Sequence, residues 1–260
     1  LLVSNRCAVL CRFCMRKRLI GSPHPINRTT IDAGIDYINT HPALREVIVS
    51  GGDPFLLDDD ALHTLLSRLR AIPHVAIIRV HTRVPCTLPQ RVTPELANLL
   101  KAFQPLYINT HFNHPQEITP QAVTACHRLA DAGIPLGCQT VLLKGINDDA
   151  ETMQHLMNKL LTARVKPYYL HQADLVKGTR HFRTSIDQGL RIMTALRGNC
   201  TGMALPHYMI DLPGGGGKVP LLPESIIAKH PDKWLIRNYT GQSFTYPIKG
   251  VYDDDATSDS

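Results

Sequence analysis

The chain has 260 residues, 43% of them hydrophobic and 19% charged, with a formal net charge of +6. That is enough apolar material for one large core, and with no run of about 18 apolar residues no membrane-spanning helix is expected. Aromatic residues make up 6% and stand mostly singly, which argues against a nucleic-acid surface, where basic stripes interleave with aromatics, and favours anionic small molecules as ligands.

In chain order, short β-branched runs alternate with amphipathic stretches. Strands are expected at 1–4 (LLVS), 46–51 (EVIVSG), 76–82 (AIIRVHT), 105–112 (PLYINTHF), 135–143 (PLGCQTVLL) and 165–171 (VKPYYLH). Helices are expected near 29–40, 58–71, 93–102, 119–132, 149–162 and 186–197. Thr93-Pro94-Glu95 and Thr119-Pro120 each supply a cap followed by proline at the first helical position. Successive β-α units predict an α/β fold with a parallel sheet and helices outside it.

The placement of polar residues favours a barrel or partial barrel over a doubly wound sheet. Cys7, Gly51-Gly52-Asp53, His81-Thr82-Arg83, His111, Gln139 and Asp174 fall at or just past the C-terminal end of a predicted strand. That rim is where β/α barrels build their active sites. Residues 1–199 are read as the barrel core and 200–252 as a short C-terminal extension packed on it. The extension holds a glycine-rich segment and a hairpin from KWLIRNY (233–239) and SFTYPI (243–248). The tail DDDATSDS (253–260) reads as solvated and disordered. No signal peptide is visible, and the opening LLVSN, already strand-like and without methionine, reads as the start of a piece of a longer protein.

Two stretches carry chemistry. In CAVLCRFCMRKR (7–18), three of the seven cysteines, Cys7, Cys11 and Cys14, crowd into eight residues and run into Arg16-Lys17-Arg18. An odd count packed this way points to metal ligation in a reduced, cytoplasmic compartment, not to a disulfide framework. Structural zinc wants four ligands, typically two CxxC pairs, and Cys86, Cys126, Cys138 and Cys200 are isolated. Iron–sulfur clusters also usually take four thiolates; a four-iron cluster on three leaves one iron open for reaction. In DLPGGGGKVP (211–220), four consecutive glycines suit no regular element. They suit a sharp bend around a bound group, and a lysine ending such a segment can form a Schiff base with an aldehyde cofactor.

The CxxxCxxC spacing after a first strand, followed by a partial barrel and by SGGDP at 50–54, resembles the radical S-adenosylmethionine superfamily. From residue 1 to about 250 the chain resembles the lysine 2,3-aminomutase family within it, through CAVLCRFCMRKR, SGGDP, LPQRVTPEL, NTHFNHPQEIT, PYYLHQADL, HFRT and MIDLPGGGGK. The resemblance implies a partial (β/α)6 TIM-like barrel. It implies a [4Fe-4S] cluster on Cys7, Cys11 and Cys14, with S-adenosylmethionine on the open iron. Ser50, Gly51, Gly52 and Asp53 would contact its methionine moiety, Asp53 standing where the family more often has Glu, and His111 and Gln139 would also touch it. Lys218 would hold pyridoxal 5′-phosphate as a Schiff base.

By the same resemblance, Arg16 takes the substrate carboxylate, which a guanidinium fork suits, and Asp174 and Asp211 take its side chain. Two converging carboxylates repel unless a cation lies between them, and a lysine ε-ammonium supplies one. The implied reaction is therefore L-lysine to β-lysine. The adenosyl radical takes a hydrogen from the β-carbon, the amino nitrogen moves from C2 to C3, and S-adenosylmethionine is regenerated. The alternatives are an aminomutase of ornithine, arginine or glutamate, a relative supplying β-lysine for modification of an elongation factor, and a non-mutase iron–sulfur protein that binds S-adenosylmethionine. The intact PGGGGK speaks against the elongation-factor branch. Implied partners are a small amino acid, an electron donor such as flavodoxin or ferredoxin, and further copies of the chain; no nucleic acid or membrane partner is expected. The sequence lacks the late cysteines with which some relatives bind structural zinc, so no zinc is expected. Contacts to the pyridoxal phosphate group would lie upstream of residue 1.

Overall fold

Each main helix starts where the sequence supplies a cap. In the computed structural model, which describes residues 1–20 and 26–248, the side chains of Asn27, Asp58, Thr93, Thr119, Asp149 and Ser185 each accept a first-turn backbone N–H. Such caps stabilise a helix by about 1 kcal/mol each. They open α1 (Arg28–Asn39), α2 (Asp59–Arg70), α3 (Pro94–Lys101), α4 (Pro120–Asp131), α5 (Ala150–Thr162) and α6 (Ile186–Leu196). These helices lie within one or two residues of the expected ranges. The expected acidic tail at 253–260 lies outside the described residues.

The predicted strands form β1 (Leu2–Ser4), β2 (Glu46–Gly51), β3 (Ile77–His81), β4 (Leu106–Thr110), β5 (Leu136–Leu142) and β6 (Lys166–Gln172), each parallel to its neighbour. The sheet does not stop there. β7 (His207–Leu212) adds in parallel beside β6, and β8 (Gly217–Pro220) returns antiparallel to β7 across the glycine segment. Strand order is therefore β1 to β8 in sequence, the pattern of a partial TIM-like barrel. A second sheet holds β9 (Ile226–Lys229), β10 (Lys233–Arg237) and β11 (Ser243–Pro247); β10 and β11 are the expected hairpin, and β9 pairs with β10 on its other side.

Side chains alternate across each strand, and here the alternation sorts chemistry. Ile78, Val80, Leu106, Ile108, Leu136, Leu142, Leu170 and Tyr208 point under the helices and are buried with Leu62, Leu66, Leu96, Leu129, Leu156 and Leu196. Each such side chain contributes about 1.5–3 kcal/mol when withdrawn from water. The alternate positions, Arg79, His81, Asn109, Gln139, Tyr169, His171 and Asp211, face the concave side. Most of them remain partly exposed, so the barrel interior is polar and open where the outer face is apolar and filled.

Gly189 of α6 is buried because it receives Tyr208 of β7. A Cβ there would stand inside contact distance of the Tyr208 ring and hydroxyl, and the buried hydroxyl donates to Gln172 Oε1 at 2.6 Å. Gly189→Ala gains about 1 kcal/mol of helix propensity but overpacks a side chain that cannot swing away, at about 1–3 kcal/mol. We expect a lowered urea midpoint; an unchanged or raised midpoint would show that the contact does not constrain the helix.

Candidate active site

Cys7, Cys11 and Cys14 lie on the loop after β1, all partly exposed and unpaired. Two main-chain hydrogen bonds hold the loop close against the sheet. Gly52 N–H donates to Ser4 O at 2.5 Å and Asp53 N–H to Arg6 O at 2.7 Å. A Cβ on Gly51 or Gly52 would collide with the Ser4 or Arg6 carbonyl, and Gly51 has a φ of +125°, outside the range side-chain-bearing residues adopt readily. The two glycines thus provide close approach to the cysteine loop itself.

Asp53 completes this junction. Its carboxylate is 4% exposed and accepts from Thr82 Oγ1 at 2.6 Å, Phe55 N at 3.1 Å and Arg83 N at 2.8 Å. The side chain ties the end of β2 to the end of β3. Ser50 Oγ and Gly51 O both accept from Arg16 Nη1, the latter at 3.3 Å. Burial, then the neighbouring Asp53 and the Cys11 and Cys14 thiols, push the Cys7 thiol up to about 11. Metal ligation takes cysteine as thiolate, so a cationic centre would oppose the upward push on Cys7. Among the described residues no group of three His, Cys, Asp or Glu side chains closes on a single-ion position. The donor set, three soft sulfurs on one loop, fits an iron–sulfide cluster, which takes each thiolate on a different iron.

His111, at the end of β4, stacks on Phe13 of the cysteine loop with centroids 5.5 Å apart and bonds Asn113 Oδ1 through Nε2 at 3.0 Å. Burial, with Arg83 nearby, pushes it down to about 3, so it is a neutral hydrogen-bonding group at pH 7. Gln139 is partly exposed on the concave face of β5. The cysteine loop also reaches the segment after β6: Lys17 Nζ donates to Lys177 O, Arg12 meets His181 Nε2 at 3.3 Å, and the Arg12 guanidinium lies 5.2 Å from the Phe182 ring centroid.

Across the concave face, Lys218 of β8 pairs with Asp211 of β7, its Nζ 2.7 Å and 2.6 Å from the two carboxylate oxygens. The two residues are direct cross-strand partners. Gly214, Gly215 and Gly217 have φ of 69°, 82° and 78°, and a Cβ on any of them would meet open space. The turn needs glycine for its left-handed backbone, and that backbone sets Lys218 opposite Asp211. Asp174, on the loop after β6, has its carboxyl raised by burial and by Asp211, with Lys218 acting in the opposite sense. Asp174, Asp211 and Lys218 thus lie within electrostatic reach of one another, and the cation that Asp211 holds is the chain's own lysine.

His81 joins the two halves. Burial pushes it down to about 4, reinforced by Arg79, Arg16, His171 and Lys218, so the arginine of the cysteine loop and the lysine of β8 both act on one imidazole. Its Nε2 lies 3.2 Å from Asn109 Nδ2, which makes it the acceptor there. Sequence reading placed His81 on the rim but saw no role for it, and it missed Asn109 and the Arg79–Glu46 ion pair altogether. The available signal was the i, i+2 recurrence of Arg79, His81 and Arg83 in IIRVHTR.

These lumen histidines make the fold pH-dependent. His81 and His171 each drop from 6.5 to about 4, burial being the largest cause for both. Between those values the unfolded chain binds protons that the folded chain refuses, so stability falls as pH drops from about 6.5 towards 4 and is level above that window. Each histidine contributes a loss on the order of 2–3 kcal/mol by the bottom of the window. The melting temperature of the wild type should fall between pH 7 and pH 5, and His81→Gln should flatten the slope. Equal slopes in both proteins would mean that His81 is not held neutral by its surroundings.

Comparison with known proteins identifies the family. The radical SAM superfamily model matches residues 1–157, and a model described as Lysine-2,3-aminomutase matches residues 193–260. The chain is 49% identical over 249 residues to the L-lysine 2,3-aminomutase of Fusobacterium nucleatum, covering 95% of this chain and 58% of that protein. It is 50% identical over 241 residues to the glutamate 2,3-aminomutase of Clostridioides difficile, covering 92% and 57%. The chain thus spans a little under three-fifths of the length of these relatives. In fold it is similar to a radical SAM methyltransferase from Sphaerobacter thermophilus, with a TM-score of 0.61 at 16% identity over 81% of this chain and 65% of that one. The chain belongs to the lysine 2,3-aminomutase family of the radical SAM superfamily.

Proposed function

We propose that this chain carries the catalytic barrel of an isomerase that moves the α-amino group of L-lysine to its β-carbon. The observation that carries the reading is the grouping of Asp174, Asp211 and Lys218 on the concave face, opposite a three-cysteine loop that bears Arg16. When bound, the [4Fe-4S] cluster with S-adenosylmethionine supplies a carbon radical that removes a substrate hydrogen, and pyridoxal 5′-phosphate supplies the π-system that carries the nitrogen across.

The chain's own residues do the holding. Cys7, Cys11 and Cys14 hold the iron. Ser50 and the backbone of Gly51 and Gly52 line the position of the S-adenosylmethionine methionine moiety, with Asp53 fixing that backbone from beneath. His111, neutral and fixed by Asn113, and Gln139 face its remainder. Lys218 is the amine that joins the pyridoxal cofactor, and the reach of its charge to His81, His171 and Asp174 supports an orientation towards the concave face. Arg16 takes the substrate carboxylate. Asp174 and Asp211 take the ε-ammonium; once Lys218 has turned to the cofactor, Asp211 needs a new cation.

Overall similarity does not choose the substrate, because the glutamate 2,3-aminomutase is as close in identity as the lysine enzyme. Charge supports a cationic side chain over an acidic one, since a glutamate side chain would bring a third carboxylate against Asp174 and Asp211; ornithine and arginine carry a cation as lysine does, and the assay below separates them from it. A one-electron donor of the flavodoxin or ferredoxin type, self-association and a cytoplasmic setting belong to the same proposal. Among the described residues no helix is long and apolar enough to cross a membrane.

The test uses protein reconstituted anaerobically with iron, sulfide and pyridoxal phosphate, then given dithionite, S-adenosylmethionine and, in turn, lysine, ornithine, arginine or glutamate. Mass spectrometry should find β-lysine from the wild type and none from Lys218→Ala. Asp174→Asn should raise the KM for lysine about tenfold or more, as expected for losing a charge-assisted bond of about 1.5–3 kcal/mol. Turnover of glutamate in preference to lysine would overturn the assignment of the two aspartates.

A further inference from the structure

Arg83 stands where the elements of the cluster end of the barrel meet, and the roles above leave it unused. It stands two residues past the end of β3. Its backbone N–H is fixed by Asp53 Oδ2 at 2.8 Å. Its guanidinium Nη1 donates to Cys11 Sγ at 2.7 Å, and its Nη2 donates to Glu117 Oε1 at 2.7 Å. The guanidinium carbon lies 5.4 Å from the ring centroid of Phe13, two residues past Cys11. Glu117 is itself held, its Oε2 accepting from Asn113 N at 2.6 Å and His114 N at 3.4 Å. The arginine is thus anchored at its backbone, at its tip and by its guanidinium plane beside Phe13. Its side chain is 17% exposed, and its Nε is a buried donor that no acceptor among the described residues satisfies.

A charged donor this constrained, touching the sulfur of one of the three clustered cysteines and holding a second N–H unspent, is more than loop support. A surface arginine serving only Glu117 would have no reason to point a fork arm at sulfur. We propose that Arg83 sets the reduction potential of the cluster on Cys7, Cys11 and Cys14, by donating a charge-assisted hydrogen bond to the Cys11 sulfur. The inference rests on the cluster reading of those cysteines.

The step is a one-electron transfer. A low-potential reductant, dithionite in the test, gives one electron to the cluster, whose net charge becomes one unit more negative; no bond of the protein is made or broken, and Arg83 keeps its proton. The added charge is shared with the ligand sulfurs. A guanidinium N–H on such a sulfur therefore stabilises the reduced form more than the oxidised form and raises the potential. The partly buried setting strengthens the effect, because solvent screens the charge less there. The nearby Glu117 carboxylate partly offsets it, so the geometry at sulfur, not net charge alone, carries the difference.

The experiment compares wild type, Arg83→Lys and Arg83→Gln, each reconstituted with iron and sulfide and assayed for both. Redox titration followed by electron paramagnetic resonance is done without S-adenosylmethionine or amino acid, so that turnover does not enter. In Arg83→Gln the reduced-to-oxidised ratio at a fixed solution potential should fall about tenfold, which for a one-electron couple is about 59 mV. Arg83→Lys, which keeps the charge but not the fork, should fall in between. Wild-type potentials in variants that hold a full iron load would overturn the inference. If Arg83→Gln sheds iron, Arg83→Lys carries the decision, and an unmoved potential there overturns it equally. A wild type that takes up no iron and sulfide would sink the cluster reading, and this inference with it; a loaded wild type beside unshifted variants would sink the role of Arg83 alone.

Discussion

At Gly51 and Gly52 two main chains run closer than any side chain permits. The end of β2 lies against Ser4 and Arg6, and two backbone hydrogen bonds weld the cysteine loop to the sheet. Everything at the cluster end of the barrel takes its position from that contact. Asp53, next in sequence, is buried where its carboxylate can hold only local donors, and it spends itself on Thr82 and the Arg83 backbone. The ends of β1, β2 and β3 become one rigid piece. A buried carboxylate with this many donors is satisfied despite the cost of its burial, which is why an acid tolerates a place at the base of a junction.

The sheet divides the work between its faces. Under the helices the alternation is apolar and closely packed, and it supplies the stability. On the concave side Arg16, Arg79 and Lys218 make the interior electropositive, and His81 and His171 stay neutral beside them. Such an interior favours anionic groups of substrate and cofactors over water. Asp174 and Asp211 are the local exception, at the far side, and their mutual repulsion is relieved by Lys218. That contrast between a cationic and an anionic region is the feature on which the proposed lysine substrate rests.

Loop contacts complete the cluster end without closing the sheet. β1 and β8 are its two edges, and the loop after β1 reaches across to the segment after β6 through Arg12 and Lys17. Phe13 lies against both His111 and Arg83, so one aromatic ring couples the loop to β3 and β4.

The amino-acid sequence by itself determined the order of β-α units, the helix starts at Asn27, Asp58, Thr93, Thr119, Asp149 and Ser185, and the family, because caps, periodicity and cysteine spacing are local properties. It also marked Cys7, Cys11, Cys14, Arg16 and Lys218 as chemically unusual, since each stands in a segment that no ordinary element explains. Only the tertiary structure decided that 207–220 continues the sheet as β7 and β8, because pairing with β6 is a contact between distant segments. It alone turned Gly51 and Gly52 onto Ser4 and Arg6, joined Asp211 to Lys218 across a hairpin, and set Arg83 against Cys11, 72 residues away in the chain. Those partners are chosen by strand register and by which face of the sheet a side chain occupies, and neither quantity is written in any one stretch of residues.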